Sequence, residues 1–376
     1  MQVTRLTISN LRRFDQVSFA PAAGLNLITG ENGAGKTSLL EALHLMAYGR
    51  SFRGRVHEGL IRSGCPAVEV FVEWRASNHS QDHVELTGQL HKAGLRHGGQ
   101  GWEGRLDGAN VSHLGEFCAA LAVVTVEPGS HDLIMGRAEE RRRFLDWGLF
   151  HVEPDFLPLW RRYARALKQR NALLKSHSAP NELEAWEQEM SNTGERLTQH
   201  RQHYLEHLEP QLQAVLAALL PAAVSSTLVF QPGWRLDELP LADALLLARD
   251  RDLASGFTSI GPHRADWRIE HAGIPGRTAL SRGQAKLTAM SALLAQAEHH
   301  ARLRGQWPVV ALDDLASELD RAHQRRVLER LLASGAQVFV TGTEIPTVLR
   351  ELEAEVSVFH VEHGQIQPEA RLPSLP

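Results

Sequence analysis

The chain holds only two cysteines, Cys65 and Cys118, in 376 residues. Two thiols can build neither a disulfide framework nor a cysteine-ligated zinc site, and their scarcity suits a reducing compartment. No apolar run approaches the length needed to cross a bilayer. The first residues alternate polar and apolar side chains without a signal-peptide core, so a cytoplasmic protein is expected. Positive charge is not in excess, since the formal net charge is −4. Any nucleic-acid surface must therefore be a local patch. The 20 histidines are scattered. His79, His83, His91 and His97 lie near one another without a metal-ligand spacing, and read as surface histidines of hairpin loops.

What is present begins with length. A chain of 376 residues exceeds one compact domain, so two lobes are expected. Gly30-Glu31-Asn32-Gly33-Ala34-Gly35-Lys36-Thr37 reads G-x-x-x-x-G-K-T, with Ser38 next. A strand-like run, Leu25–Thr29, precedes it, and a helical run with Leu39, Leu40, Leu43, Met46 and Ala47 on one side follows. That context is what a P-loop requires. Glycines let successive N–H groups turn inward on a phosphate chain, and the helix adds its positive end. Gly30 through Ser38 are thus the nucleotide-binding candidates. Lys36 is expected on the β- and γ-phosphates, and the Thr37 hydroxyl on Mg²⁺.

Around this loop the chain reads as three parts. Residues 1–129 form the first part of an ATPase lobe, with strands before the P-loop and an antiparallel β segment after it. That segment holds one alternating run at Val68–Trp74 and another around Val84 and Leu86, and a separate buried strand follows at Leu121–Val126. The turn Asn10–Phe14 carries Arg12 and Arg13, either solvated or folded over nucleotide phosphates. Residues 130–255 are helical. Phe156, Trp160, Tyr163, Leu167 and Leu174 form one stripe, and Leu183, Met190, Leu197 and Tyr204 a second with period seven. Together they predict a short antiparallel helix-hairpin arm, kinked or broken at Pro210. Residues 256–376 return to α/β alternation, with strands at Val309–Leu312, Gln337–Thr341 and Val356–Val361. The tail from Gln367 to Pro376 should fray.

Val309–Leu312 ends in Asp313-Asp314, the second half of an NTPase site. Asp313 is expected to hold Mg²⁺ opposite Thr37, and Asp314 to polarise the attacking water. Ser281-Arg282-Gly283-Gln284 opens a helix with a hydroxyl, bare backbone N–H groups and a dipole, all suited to a γ-phosphate. The P-loop already covers one face of its own nucleotide. A second phosphate-binding helix start therefore implies a site completed by a second copy, with Ser281 and Gly283 acting in trans across an isologous dimer. A kinase or GTPase reading leaves that motif unexplained and finds no N-K-x-D.

The order of P-loop, S-R-G-Q, Asp-Asp strand and Ser317-Glu318-Leu319-Asp320 resembles an ABC-type ATPase head of the SMC class. More closely the chain resembles the RecF family of bacterial recombination mediators. The landmarks are Asn10–Phe14, Gly30–Thr37 running into Glu41-Ala42-Leu43, Arg50–Arg53, Arg141–Asp146, Gly261–Arg264, Leu280–Lys286 and Leu312–Asp320. The resemblance implies an α/β head with a mixed sheet and a helical lobe. It implies an ATP-induced homodimer that binds double-stranded and gapped DNA, hydrolyses ATP slowly, and helps RecA to load with RecR and RecO. By the same resemblance Arg12 contacts phosphate. The alternatives are another SMC-like ATPase or a nucleotide-binding subunit of an ABC transporter, which would have a shorter helical part. Thr341-Gly342-Thr343 stands where many ABC proteins place a switch histidine, and no Q-loop glutamine follows Glu127-Pro128. For DNA, the basic loop Arg50–Arg55 and the segment Arg137–Arg170, with nine basic against five acidic residues, are candidates.

Overall fold

A computed structural model describes residues 1–53, 59–76, 88–176, 180–220, 226–274, 276–352 and 354–369. The expected run around Val84 and Leu86, His79 and His83, Arg55, and the end of the tail lie outside these residues. The chain forms two compact units, residues 1–130 with 290–376, and residues 131–289. Residues 256–289, expected with the ATPase lobe, belong to the second unit, and the return crossing falls inside helix Arg282–Arg304.

The first unit holds two six-stranded sheets. In one, Leu25–Thr29, Val338–Thr341, Val309–Leu312 and Val123–Val126 run parallel in that order, with Val356–Glu362 parallel on the other side of Leu25–Thr29. Residues Gln365–Pro368 add an antiparallel edge. Every residue of the four strands from Leu25 to Val126 in this order is buried, as apolar runs covered on both faces must be. The other sheet is antiparallel, in the order Phe14–Phe19, Gln2–Leu11, Val68–Arg75, Leu90–His97, Trp102–Leu106, Ala109–Asn110. In Val68–Arg75 buried positions alternate with more exposed ones, because only one face meets the core.

Helix Lys36–Tyr48 follows the P-loop, and every residue from Ser38 to Ala47 is buried. It shares one core with Ile8, Leu11 and Phe14 of the antiparallel sheet and with Ile28, Val123 and Phe339 of the parallel one. The one-sided helix expected from sequence is therefore buried all round, and even Glu41 and His44 lie inside.

The second unit is mainly helical: Ala138–Val152, Phe156–Ser176, Pro180–Leu219 and Leu241–Ser255, with a strand pair Ser226–Gln231 and Asp266–His271. Phe156–Ser176 and the 40-residue Pro180–Leu219 pack as the expected hairpin, the latter about 60 Å long. Leu183, Met190, Leu197 and Tyr204 are all buried. The first stripe differs from expectation: it runs through Phe156, Leu159, Tyr163, Ala166, Arg170 and Leu174, while Trp160 is exposed. Pro210 does not break its helix. The buried series Tyr204, Leu205, Leu208, Leu212, Val215 and Leu216 continues past it, and Glu209 accepts a bond from the Leu228 N–H at 2.8 Å. Packing outweighs the ~3 kcal/mol penalty of an interior proline.

The basic cluster of Ala138–Val152 serves the fold. Arg141 grips Asp266 with two bonds, of 2.6 and 3.0 Å, and caps the Gly136 carbonyl at 2.9 Å. Arg142 donates to the Ala265 carbonyl, and Arg143 pairs with Glu139 and Glu140. Among the described residues no helix is long and apolar enough to cross a membrane.

Burial holds three histidines neutral: His44 at about 3, His263 at about 4 and His300 at about 4. The Tyr163 hydroxyl donates to His263 Nδ1 at 2.8 Å, while Nε2–H donates to the Thr258 carbonyl at 3.0 Å. The unfolded chain takes up these protons near pH ~6.5, which the fold refuses until far lower pH. Stability is full above that value and falls as pH drops from it toward 4, by on the order of 3 kcal/mol per histidine. Urea midpoints at pH 7 and pH 5 should differ clearly, and equal midpoints would contradict this account.

Candidate nucleotide site

The P-loop leaves the C-terminal end of strand Leu25–Thr29, an interior strand of the parallel sheet. Gly30 has φ +143°, and a Cβ there would stand 2.3 Å from the Val361 carbonyl oxygen. Gly35 has φ +123°, and a Cβ would meet the Phe14 ring at 2.8 Å. Both positions require glycine. Asn32, Gly33, Gly35, Lys36, Thr37 and Ser38 line a cavity of about 1050 Å³. Gly30 and Glu31 do not line it; their carbonyls accept from Lys36 Nζ at 2.7 and 2.8 Å. Ala34 packs on the core instead. Desolvation holds the Lys36 ammonium below its usual range, against the pull of Asp314 and Asp313.

Asp313 and Asp314 come to the same cavity. The Thr37 hydroxyl donates to Asp313 Oδ1 at 3.0 Å. Thr341, which the motif reading passed over as a sensing residue, donates to the same oxygen at 2.7 Å and accepts the Asp314 N–H at 2.8 Å. The reason is strand order. Val338–Thr341 lies between the P-loop strand and the aspartate strand, so its last residue stands between their ends. Burial pushes the Asp313 carboxyl above its usual range, while the bonds from Thr341 and Thr37 pull it down. Asp314 sits at φ +52°, a left-handed conformation that costs a non-glycine residue energy and recurs at functional sites.

These donors suit a nucleotide triphosphate with Mg²⁺. The loop offers inward backbone and an ammonium, and a hydroxyl beside a carboxylate is an oxygen pair of the kind Mg²⁺ takes. Thr37 and Asp313 would hold the metal, which when bound would neutralise charge on the β- and γ-phosphate oxygens.

Arg12 lines the cavity, but its guanidinium is clamped on Glu41, and the Glu41 bond raises its pKa. Arg13 is the arginine folded over the loop, its Nη1 3.5 Å from where a Gly33 Cβ would be. Arg53, considered for DNA, also lines this cavity. The pairing with Arg12 in one basic turn was the one signal for Arg13, and the end of a buried strand the one signal for Thr341.

Ser281 begins helix Arg282–Arg304 in the second unit. Its Oγ accepts the Gln284 N–H at 3.2 Å, and its own N–H donates to Gln284 Oε1 at 2.9 Å, a reciprocal capping box. Ser281, Arg282 and Gly283 are exposed, and nothing lies within 4 Å of a Cβ built on Gly283. Asp320 caps the helix Arg321–Ser334, accepting from the His323 N–H at 2.9 Å.

A parallel sheet with a P-loop on one strand and an Asp-Asp turn two strands away, plus a capped Ser-Arg-Gly-Gln helix, defines an ABC-type ATPase head of the SMC class. A head domain of Smc from Pyrococcus furiosus shares the fold at TM-score 0.56 and 16% identity, over 99% of this chain and 96% of that one. The family model described as the RecF/RecN/SMC N-terminal domain matches residues 2–367. A DNA replication and repair protein RecF from Stenotrophomonas maltophilia is 62% identical over 366 residues, covering 97% of this chain and 99% of that protein. The solved structure of the recombination mediator protein RecF with ATP, of the RecFOR pathway, superposes at TM-score 0.84 with 25% identity over 98% of each chain. The chain belongs to the RecF family. Membership decides against the transporter subunit, as the long helical unit does.

Proposed function

We propose that the chain is an ATP-dependent DNA-binding clamp of recombinational repair and replication, in which two copies close around two ATP molecules. The observation that carries this reading is the meeting of Lys36, Thr37, Asp313 and Asp314 on one cavity, in a chain 62% identical to a protein named for DNA replication and repair. Gly30–Ser38 bind the phosphates, and Thr37 and Asp313 hold Mg²⁺. Asp314 aligns water. Ser281 and Gly283, both exposed at a helix start with open space beside Gly283, reach the γ-phosphate of the partner copy. Hydrolysis is slow, in keeping with a short aspartate where transporters place glutamate, and it releases the dimer. The protein acts in the cytoplasm on double-stranded and gapped DNA, with RecR and RecO, toward loading of RecA.

The basic segment 137–170 contributes less to DNA than its charge suggests. Arg141 and Arg170 are buried, and Arg143 and Arg162 are paired with glutamates. Arg165 and Lys168 are exposed and are the better candidates. Phosphate contacts of this kind should make duplex affinity fall steeply with salt.

The dimer is tested by light scattering: ATP, but not ADP, should convert monomer to dimer. A Lys36→Ala chain and a Ser281→Arg chain should each be inactive alone and regain part of the turnover when mixed, since one intact composite site then forms. Full hydrolysis by a monomer at high dilution would refute the shared site.

A further inference from the structure

Glu41 has no part in the chemistry above. It lies in the second turn of the P-loop helix with its side chain wholly buried. A buried carboxylate is costly unless paired and hydrogen-bonded, and an apolar residue would serve packing as well. Its partners come from two separate loops. Arg12 donates through Nε at 2.5 Å and Nη2 at 2.7 Å, and the Ser51 hydroxyl donates to Oε1. Ser51 Oγ in turn accepts the Arg53 N–H at 2.9 Å. Arg12 is held at φ +52°, with its N–H on the Leu60 carbonyl at 2.8 Å and Nη1 on the Gly59 carbonyl at 3.2 Å. Arg12, Arg53 and Gly59 all line the nucleotide cavity. The carboxylate thus grips one edge of the Arg12 guanidinium and leaves the Nη1 end toward the cavity wall. A side chain fixed in this way gives up little further freedom when it meets an anion.

We propose that Glu41 is a positioning residue for nucleotide binding, its carboxylate holding Arg12 directly and Arg53 through Ser51, so that two arginines of separate loops face the phosphates. This inference rests on the reading of the cavity as an ATP site, and the two fail differently. ATP affinity is measured on the full chain with a fluorescent ATP analogue and Mg²⁺, alongside thermal melts. Glu41→Gln keeps shape but loses charge, and should weaken binding about tenfold. Arg12→Ala should weaken it by a similar factor. The double variant should lose clearly less than the product of the two single losses, because the residues act as one unit. Ser51→Ala keeps the Arg12–Glu41 pair and should cost a smaller factor, about threefold. It decides the question if Glu41→Gln does not fold. Unchanged affinity in Ser51→Ala and in any folded Glu41→Gln, or fully multiplicative losses, would overturn the proposal. Unchanged affinity in Lys36→Ala would instead overturn the ATP site itself.

Discussion

Replacing Asp314 by asparagine should lower ATP turnover by about 10²–10⁴-fold while leaving ATP affinity nearly intact. The two aspartates at the end of Val309–Leu312 are in different positions. Asp313 is buried, and one of its oxygens already takes bonds from Thr37 and Thr341. That oxygen faces the hydroxyl that would share the metal. Asp314 lines the cavity and is held through its backbone, by Thr341, which suits the role toward water proposed for its carboxylate. Asparagine keeps the size and tolerates the left-handed conformation, but it cannot take a proton. Single-turnover hydrolysis measured beside equilibrium binding separates the two roles. If binding fell as far as turnover, Asp314 would belong to the metal site. The trapped state should also persist as an ATP-bound dimer.

Removing Arg170 should destabilise the second unit by about 3–5 kcal/mol. This side chain is 0% exposed, near the end of the first hairpin helix. It donates to Glu187 at 2.9 Å and 3.1 Å, to Asp252 at 2.7 Å and to the Thr258 hydroxyl at 2.9 Å. Arg249 also reaches Glu187, at 2.5 Å. Arg170→Met would leave Asp252 buried without its cation, and Arg249 already occupied. The loss should appear as a melting temperature lower by about 10 °C. Arg170→Met combined with Asp252→Asn should recover part of it, since the orphaned charge is then gone. A single variant with wild-type stability would show that Arg249 suffices for both carboxylates.

The same residue shows where reading the chain stops. Arg170 falls at helical spacing within a run of basic residues that suggests a solvated or DNA-facing surface. Its carboxylate partners lie 17 and 82 positions away, and no local pattern brings them together. Arg141 repeats the lesson with Asp266, 125 positions on. Local periodicity reports which face of a helix is apolar. It does not report which charges meet inside.

Gly30–Ser38 and Asp313-Asp314, which meet around one cavity, and the capped helix start at Ser281–Gln284 stood out in the sequence because residue types at short, fixed spacings mark them. The sequence alone therefore determined the class of head, the P-loop strand and helix, and the heptad stripe of the long helix. Strand order was decided by tertiary structure. Placing Val338–Thr341 between the P-loop strand and the aspartate strand makes Thr341 part of the site. Enclosure of the P-loop helix between two sheets buries Glu41 and turns Arg12 toward it. Both depend on contacts between segments far apart in the chain, where the free energy of burial and pairing, summed over the whole core, outweighs any preference a short stretch can express.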